Sequence, residues 1–282
     1  MKLALAQISP HLGDVKKNFN LHIKYIKKAK RKKVDLLVFP ELSLTGYLLK
    51  DLLEEVALNT EKDRFFEEFK ALSREISLVL GFVEEKEKGL FYNSAAFFSG
   101  GKILHVHRKV FLPTYGMFDE GRFFSQGKNF HTFSSAFGKM GLMICRDFLH
   151  YGASYLLFAG GSEIIIVLSA APGRGVSEKE GFATCKMWEL MGEAVSRFST
   201  SFVIYCNRVG FEDGMSFAGG SFIYSPMGEL LTKASYLDED FILQEINLND
   251  IRTARKKWPF KRDDKPEVIL EALKRIVRRD ED

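Results

Sequence analysis

Apolar residues along this chain recur with two periods, and the changes between them mark out its elements. Alternating or unbroken apolar runs of strand length stand at Lys2–Ile8, Asp35–Phe39, Ser77–Val83, Tyr92–Phe98 and Lys102–His107. Further runs follow at Phe130–Phe133, Lys139–Met143, Glu163–Ser169, Phe202–Cys206, Phe217–Tyr224 and Asp240–Ile246. Helical spacing takes over at about Val15–Lys32, where Phe19, Ile23 and Ile26 share a face, and again near Glu61–Glu75. It returns near Phe148–Ala159, Phe182–Phe198 and Glu267–Arg278. Gly13-Asp14 and Gly100-Gly101 punctuate the pattern as turns, the second as a hairpin.

Strands and helices alternate, with hairpins inserted, so the pattern predicts a mixed α/β fold. No repeat, low-complexity tract or linker divides it. Residues 1–282 are expected to form one domain, with 247–282 as a C-terminal arm ending in a helix. One long stretch, Lys109–Asn129, carries several Gly and aromatic residues without periodicity. Loops of that length inside a compact domain are usually functional.

Composition narrows the class. The chain is 46% hydrophobic and 28% charged, and at 282 residues it can bury a large core without disulfides. Its three cysteines, Cys145, Cys185 and Cys206, are odd in number, and none sits in a Cys-x-x-Cys pair. That argues against a disulfide framework or a zinc site, and no metal is expected. A net charge of +4 is modest, although basic residues cluster at 27–33 and 252–262. Such clusters are most often solvated helix faces, so no nucleic-acid partner is expected. No segment has the length of a signal peptide or membrane span, so no membrane association and a cytoplasmic location are expected.

Three apolar strands end directly on a reactive side chain, and ligands in α/β folds gather at strand ends. In VFPELSLTGY, Glu41 follows a buried strand; a carboxylate so near the core suits a general base. On its own it reads equally as a surface residue opening a helix. In HVHRKVFLPTYG, Lys109 opens the long loop, where fixed positive charge would meet a developing oxyanion. Glu120 on that loop is a candidate second carboxylate beside the lysine. In KMGLMICRDF, Cys145 stands on a strand-to-helix turn, where a helix terminus and a nearby lysine favour the thiolate. The backbone N–H of Arg146 is a candidate oxyanion donor. Cys206 and Cys185 read as packing residues. His105 and His107 alternate on one strand and read as sheet-surface residues rather than partners of a cysteine.

In order along the chain, ALAQ, FPEL-x-LTGY, RK-x-x-LPTYG, the strand-turn cysteine, LSAAP, NRVG and GGS-x-IYSPMGE resemble the nitrilase superfamily of carbon–nitrogen hydrolases. The resemblance implies a four-layer α-β-β-α sandwich, with Glu41, Lys109 and Cys145 as a catalytic triad and Glu120 as the family's second glutamate. The LPTYGMFDEGRFF stretch is most similar to the glutaminase domain of glutamine-dependent NAD synthetases. That likeness would put Tyr115 at the amide pocket, and Arg146, Ala170 and Ala171 are carried over as substrate contacts.

The implied activity is cleavage of a small linear amide through a thioester on Cys145, releasing ammonia or an amine, with no cofactor. Nitrilase or N-carbamoyl hydrolase activity, and a non-catalytic binding protein of the same fold, are the alternatives. The Arg-Asp pair after Cys145, where nitrilases proper usually have Trp-Glu, favours amides. The expected partners are a small-molecule amide and further copies of the chain, as a homodimer or larger homo-oligomer. Specificity is expected in the loops Gly116–Phe124, Ala170–Gly181 and Phe211–Ser216. Arg174 reads either as a contact for an acidic substrate group or as a solvated loop residue, and Trp188 either as a pocket wall or as core.

Overall fold

A computed structural model describes residues 1–174, 176–177 and 181–279 of the chain. The first half builds one sheet. Strand β1 (Lys2–Gln7) leads into helix α1 (Val15–Arg31), and β2 (Leu36–Val38) returns parallel to β1. A short helix α2 (Leu53–Val56) and helix α3 (Arg64–Leu72) precede β3 (Ser77–Glu87), which is parallel to β2. Strands β4 (Leu90–Ser99) and β5 (Lys102–Arg108) extend the sheet as antiparallel hairpins.

After the long loop and its short helix α4 (Glu120–Phe123), the second half builds a matching sheet. Strand β6 (Thr132–Ser135) pairs antiparallel with β7 (Gly138–Ile144). Helix α5 (Tyr151–Ala159) connects β7 to the parallel strand β8 (Ile164–Ser169). The two-residue strands β9 (Val176–Ser177) and β10 (Gly181–Phe182) lead into helix α6 (Ala183–Ser199) and strand β11 (Phe202–Asn207). A separate hairpin, β12 (Val209–Glu212) with β13 (Met215–Ala218), precedes β14 (Phe222–Tyr224) and β15 (Leu230–Lys233). Strand β16 (Asp240–Glu245) then crosses back to the first sheet beside β1. Helices α7 (Asn249–Lys257), α8 (Phe260–Asp263) and α9 (Pro266–Arg279) close the chain. The sheet orders are β16-β1-β2-β3-β4-β5 and β15-β14-β11-β8-β7-β6.

The layers follow from the two-residue period of the strands, which sends successive side chains to opposite faces. From the first sheet, Leu3, Leu5, Leu36, Val38 and Val79 meet Leu142, Ile144, Ile166, Leu168 and Ile204 of the second in one buried core. The intervening residues face the helices. Ala4, Ala6, Leu37 and Leu78 pack under α1 and α3 through Phe19, Ile26, Phe66 and Phe69. Ile165, Val167, Val203 and Tyr205 pack under α5 and α6 through Leu157 and Trp188. The expected α-β-β-α sandwich is the fold observed, and Trp188 belongs to its core while also reaching the cavity described below.

Some elements differ from expectation. The run Phe217–Tyr224 is two strands, because Gly219 and Gly220 turn between them with φ of +66° and +67°. A side chain at Gly219 would lie 2.6 Å from Gln7 Nε2, so neither conformation nor space admits one. The segment Lys50–Val56 is helical, but it is too short to show a period. The helix expected from Phe148 begins instead as a 3-10 turn over Cys145–Leu149. Of the loop Ala170–Gly181, Gly175 and residues 178–180 lie outside the described residues. Among the described residues no helix is long and apolar enough to cross a membrane.

Candidate active site

Glu41, Lys109 and Cys145 follow the C-terminal ends of β2, β5 and β7, and the packing of the two sheets brings these ends together. Glu41 is seated by close backbone contact. A Cβ on Gly81 of β3 would stand 2.4 Å from the Leu42 nitrogen and 2.8 Å from the Pro40 oxygen. Only glycine lets that strand lie directly against the Glu41 turn.

Both oxygens of the buried Glu41 carboxylate are fixed. Oε1 accepts from Lys109 Nζ at 2.7 Å and from Asn93 Nδ2 at 2.8 Å, and Oε2 accepts from the Ala170 amide at 2.7 Å. Lys109 Nζ also donates to Glu120 Oε1 at 2.7 Å, so two of the three ammonium donors are taken. Tyr47 donates its hydroxyl to the same Glu120 oxygen at 2.6 Å.

The charges in this cluster are decided by burial against neighbours. Burial pulls Lys109 down, but the Glu120 and Glu41 carboxylates outweigh it and hold the ammonium well above its ordinary range. Burial pushes Glu120 up to about 7, with Glu41 adding to the rise and Lys109 opposing it. Its Oε2 is buried without a hydrogen-bond partner among the described residues, which further disfavours the ionised form.

Cys145 adopts the left-handed backbone conformation, with φ of +44°. For a residue with a Cβ this costs roughly 1–2 kcal/mol and bends the chain sharply off β7. The residue lines a cavity of about 160 Å³ together with Arg146, Tyr115, Ala171, Arg174 and Trp188. Its thiol is not the ready thiolate that the strand-to-helix turn suggested. Burial, and then the Glu41 charge, push it up to about 12; Lys109 and a hydrogen bond with Ser169 oppose this without reversing it. The following turn is a five-residue 3-10 segment with little dipole to offer, and the lysine is already engaged by two carboxylates. Such an arrangement holds a neutral thiol beside a fixed carboxylate, which can take its proton as the sulfur attacks.

The remaining sequence candidates divide. Tyr115, Arg146 and Ala171 line the cavity, with the Arg146 guanidinium 5.2 Å over the Tyr115 ring. Ala170 is absent from that lining; its contribution is the amide that holds Glu41. Cys206 is buried in β11 and Cys185 on α6, both among packing residues as expected.

His107 is not a surface residue. It is buried, with Nε2 2.8 Å from Asp147 Oδ2, because β5 faces the turn after β7 rather than solvent. His105 is half-buried and stacks on Phe133, and burial pushes it down to about 4.

Sequence reasoning missed Asn93, Tyr47, Ser169 and Asp147. A polar Asn inside the apolar run of β4 was a visible signal, as was the Asp two residues after the cysteine. Tyr47 and Ser169 sit within quoted motifs but carry no signal of their own in one sequence.

The chain matches the carbon-nitrogen hydrolase family over residues 2–256. It is 34% identical to the glutamine-dependent NAD(+) synthetase of Acinetobacter baylyi over 251 residues, covering 89% of this chain and 45% of the synthetase. The chain thus spans less than half the length of that relative. It is 29% identical to an (R)-stereoselective amidase of a Pseudomonas species, covering 93% of this chain and 91% of the amidase. Among solved structures it resembles a carbon-nitrogen hydrolase of Helicobacter pylori, with a TM-score of 0.87 at 29% identity, covering 97% and 98% of the two chains.

Proposed function

The chain belongs to the carbon–nitrogen hydrolase family, and from that premise we propose that it is an amidase acting on a small linear amide through a thioester on Cys145. One observation carries this reading: both oxygens of Glu41 are fixed by Lys109, Asn93 and the Ala170 amide, beside a cysteine that lines a cavity. A carboxylate so held costs little reorganisation when it accepts a proton.

Glu41 takes the Sγ proton as Cys145 attacks the amide carbon. The carbonyl oxygen becomes an oxyanion, met by the third N–H of Lys109 and by the Arg146 amide. Collapse breaks the C–N bond, and Glu41 returns the proton to the departing nitrogen as ammonia or an amine. A water then loses a proton to Glu41 and attacks the thioester, and the thiolate leaves and is reprotonated. The sum is amide plus water giving acid plus ammonia or amine, with no electron transferred. Glu120 holds Lys109 in place and shares its charge, and Tyr115, Arg146 and Ala171 contact substrate.

The test is ammonia release from a panel of amides, carbamoyl amino acids and nitriles by wild type and Cys145→Ala. Turnover of amides that the variant lacks supports the reading; release from no amide overturns it.

The same proposal includes assembly as a homodimer or larger homo-oligomer. Support comes from an exposed apolar face on α5 and α6, where Tyr151, Leu190 and Phe198 are 87%, 66% and 65% exposed. An exposed apolar patch of this kind marks a contact surface. Phe198→Glu is expected to lower the mass seen in sedimentation, and a wild-type monomer would remove the proposal.

A further inference from the structure

Two guanidiniums reach the cavity that Cys145 lines, and among the described residues neither has a charged partner in it. Arg146 follows the nucleophile directly and sits 5.2 Å over the Tyr115 ring. Arg174 lines the same cavity. Its Nη1 lies 3.8 Å from where a Cβ of Gly116 would be, so it reaches the same Tyr115 loop. The backbone of Arg174 is pinned by Thr184, whose hydroxyl accepts from the Arg174 amide at 3.1 Å and donates to Pro172 O at 3.0 Å. The Thr184 amide donates in turn to Arg174 O at 3.3 Å. Among the described residues neither guanidinium has a carboxylate within ion-pair distance, and no Asp or Glu lines this cavity. The acidic residues nearest the chemistry, Glu41 and Glu120, are engaged with Lys109.

Resting on the amidase reading above, we propose that the substrate is an anionic amide, the monoamide of a small dicarboxylic acid, whose free carboxylate is held by Arg146 and Arg174. A guanidinium pairs with a carboxylate through parallel charge-assisted hydrogen bonds, and a partly enclosed site strengthens them. The rest of the lining suits the short apolar spacer between the two ends: Phe118, Leu149, Met187 and Trp188.

Two measurements separate this inference from the reading beneath it. In the first, kcat/KM is compared for glutaric acid monoamide and the neutral amide of the same length, using wild type, Arg146→Gln and Arg174→Gln. The monoamide is expected to lead the neutral amide by about tenfold or more, the gain that one charge-assisted pairing supplies. Each variant should raise KM for the monoamide by about tenfold more than it raises KM for the neutral amide. Equal turnover of monoamide and neutral amide, or equal losses on both in the variants, overturns the proposal.

The second measurement needs no amidase activity. Iodoacetate and iodoacetamide alkylate a thiol by the same displacement and differ in charge. Their rate ratio at Cys145, read by mass spectrometry and divided by the ratio for glutathione, is expected to favour iodoacetate. Arg146→Gln should erase that preference. A normalised ratio at or below one overturns the cationic site, whether or not any amide is cleaved.

Discussion

The imidazole of His107 lies 2.8 Å from the Asp147 carboxylate, tying the strand that leads to Lys109 to the turn that begins with Cys145. Asp147 is wholly buried and does more than this. Its Oδ1 accepts the Val110 and Phe111 amides at 3.0 and 2.9 Å, and its Oδ2 accepts the Ile144 amide at 3.2 Å. One carboxylate thus clamps the backbone on either side of the site.

Asp147→Asn puts an NH2 donor where one carboxylate oxygen now accepts. A buried mismatch of this kind is expected to cost roughly 2–4 kcal/mol in urea unfolding. Turnover measured well below the melting temperature should also fall, by about tenfold, because the spacing between Lys109 and Cys145 loosens. A variant as stable and as active as wild type would remove Asp147 from this role.

Cys145→Ala is expected to lower amide turnover by roughly 10⁴-fold or more, the loss seen when a nucleophile is removed from a cooperating set. Cys185→Ser should retain most activity. The sharper check is mass: with wild-type turnover quenched by acid before the thioester is hydrolysed, a substrate-derived adduct should appear on the peptide containing Cys145. An adduct found on another cysteine would move the chemistry elsewhere.

The Glu41 charge is one of the forces that keeps Cys145 protonated, after burial itself. Glu41→Gln removes that charge, so the thiol should ionise at lower pH than in wild type. Thiolate absorbance, taken as the difference from Cys145→Ala, reads this directly. An unchanged or higher midpoint would mean that the two side chains do not sense each other.

Glu120 is held up to about 7, mainly by burial, from an ordinary value near 4.5. The folded chain therefore keeps a proton there that the unfolded chain releases. Stability from this site is fully present below about pH 4.5 and lost as pH rises through about 7. The difference in unfolding free energy between wild type and Glu120→Gln should therefore shift against wild type from pH 5 to pH 8. A difference that stays flat across that window would contradict the raised value.

The central strands were legible in the sequence because they are buried on both faces, and such runs stay apolar whatever they pack against. Glu41, Lys109 and Cys145 were legible because each follows the end of a strand-length run. The supporting groups were not, for a physical reason: Asn93, Tyr47 and Asp147 act across 52, 73 and 40 residues of sequence, and no local period encodes a partner at that distance. His107 misled because alternation fixes which face a residue takes, not what covers that face. The state of the thiol misled similarly, since a nearby lysine counts for little once two carboxylates already neutralise it.

The first sheet supplies Glu41 and Lys109 and the second supplies Cys145, while β16 carries the chain from the second sheet back to the edge of the first. On the proposed mechanism neither sheet alone can host the reaction, so regain of turnover during refolding would time their docking rather than the assembly of either. A chain severed in the loop between β5 and β6 would leave each fragment inert, and β16 would serve as the clasp through which the two halves could find each other again.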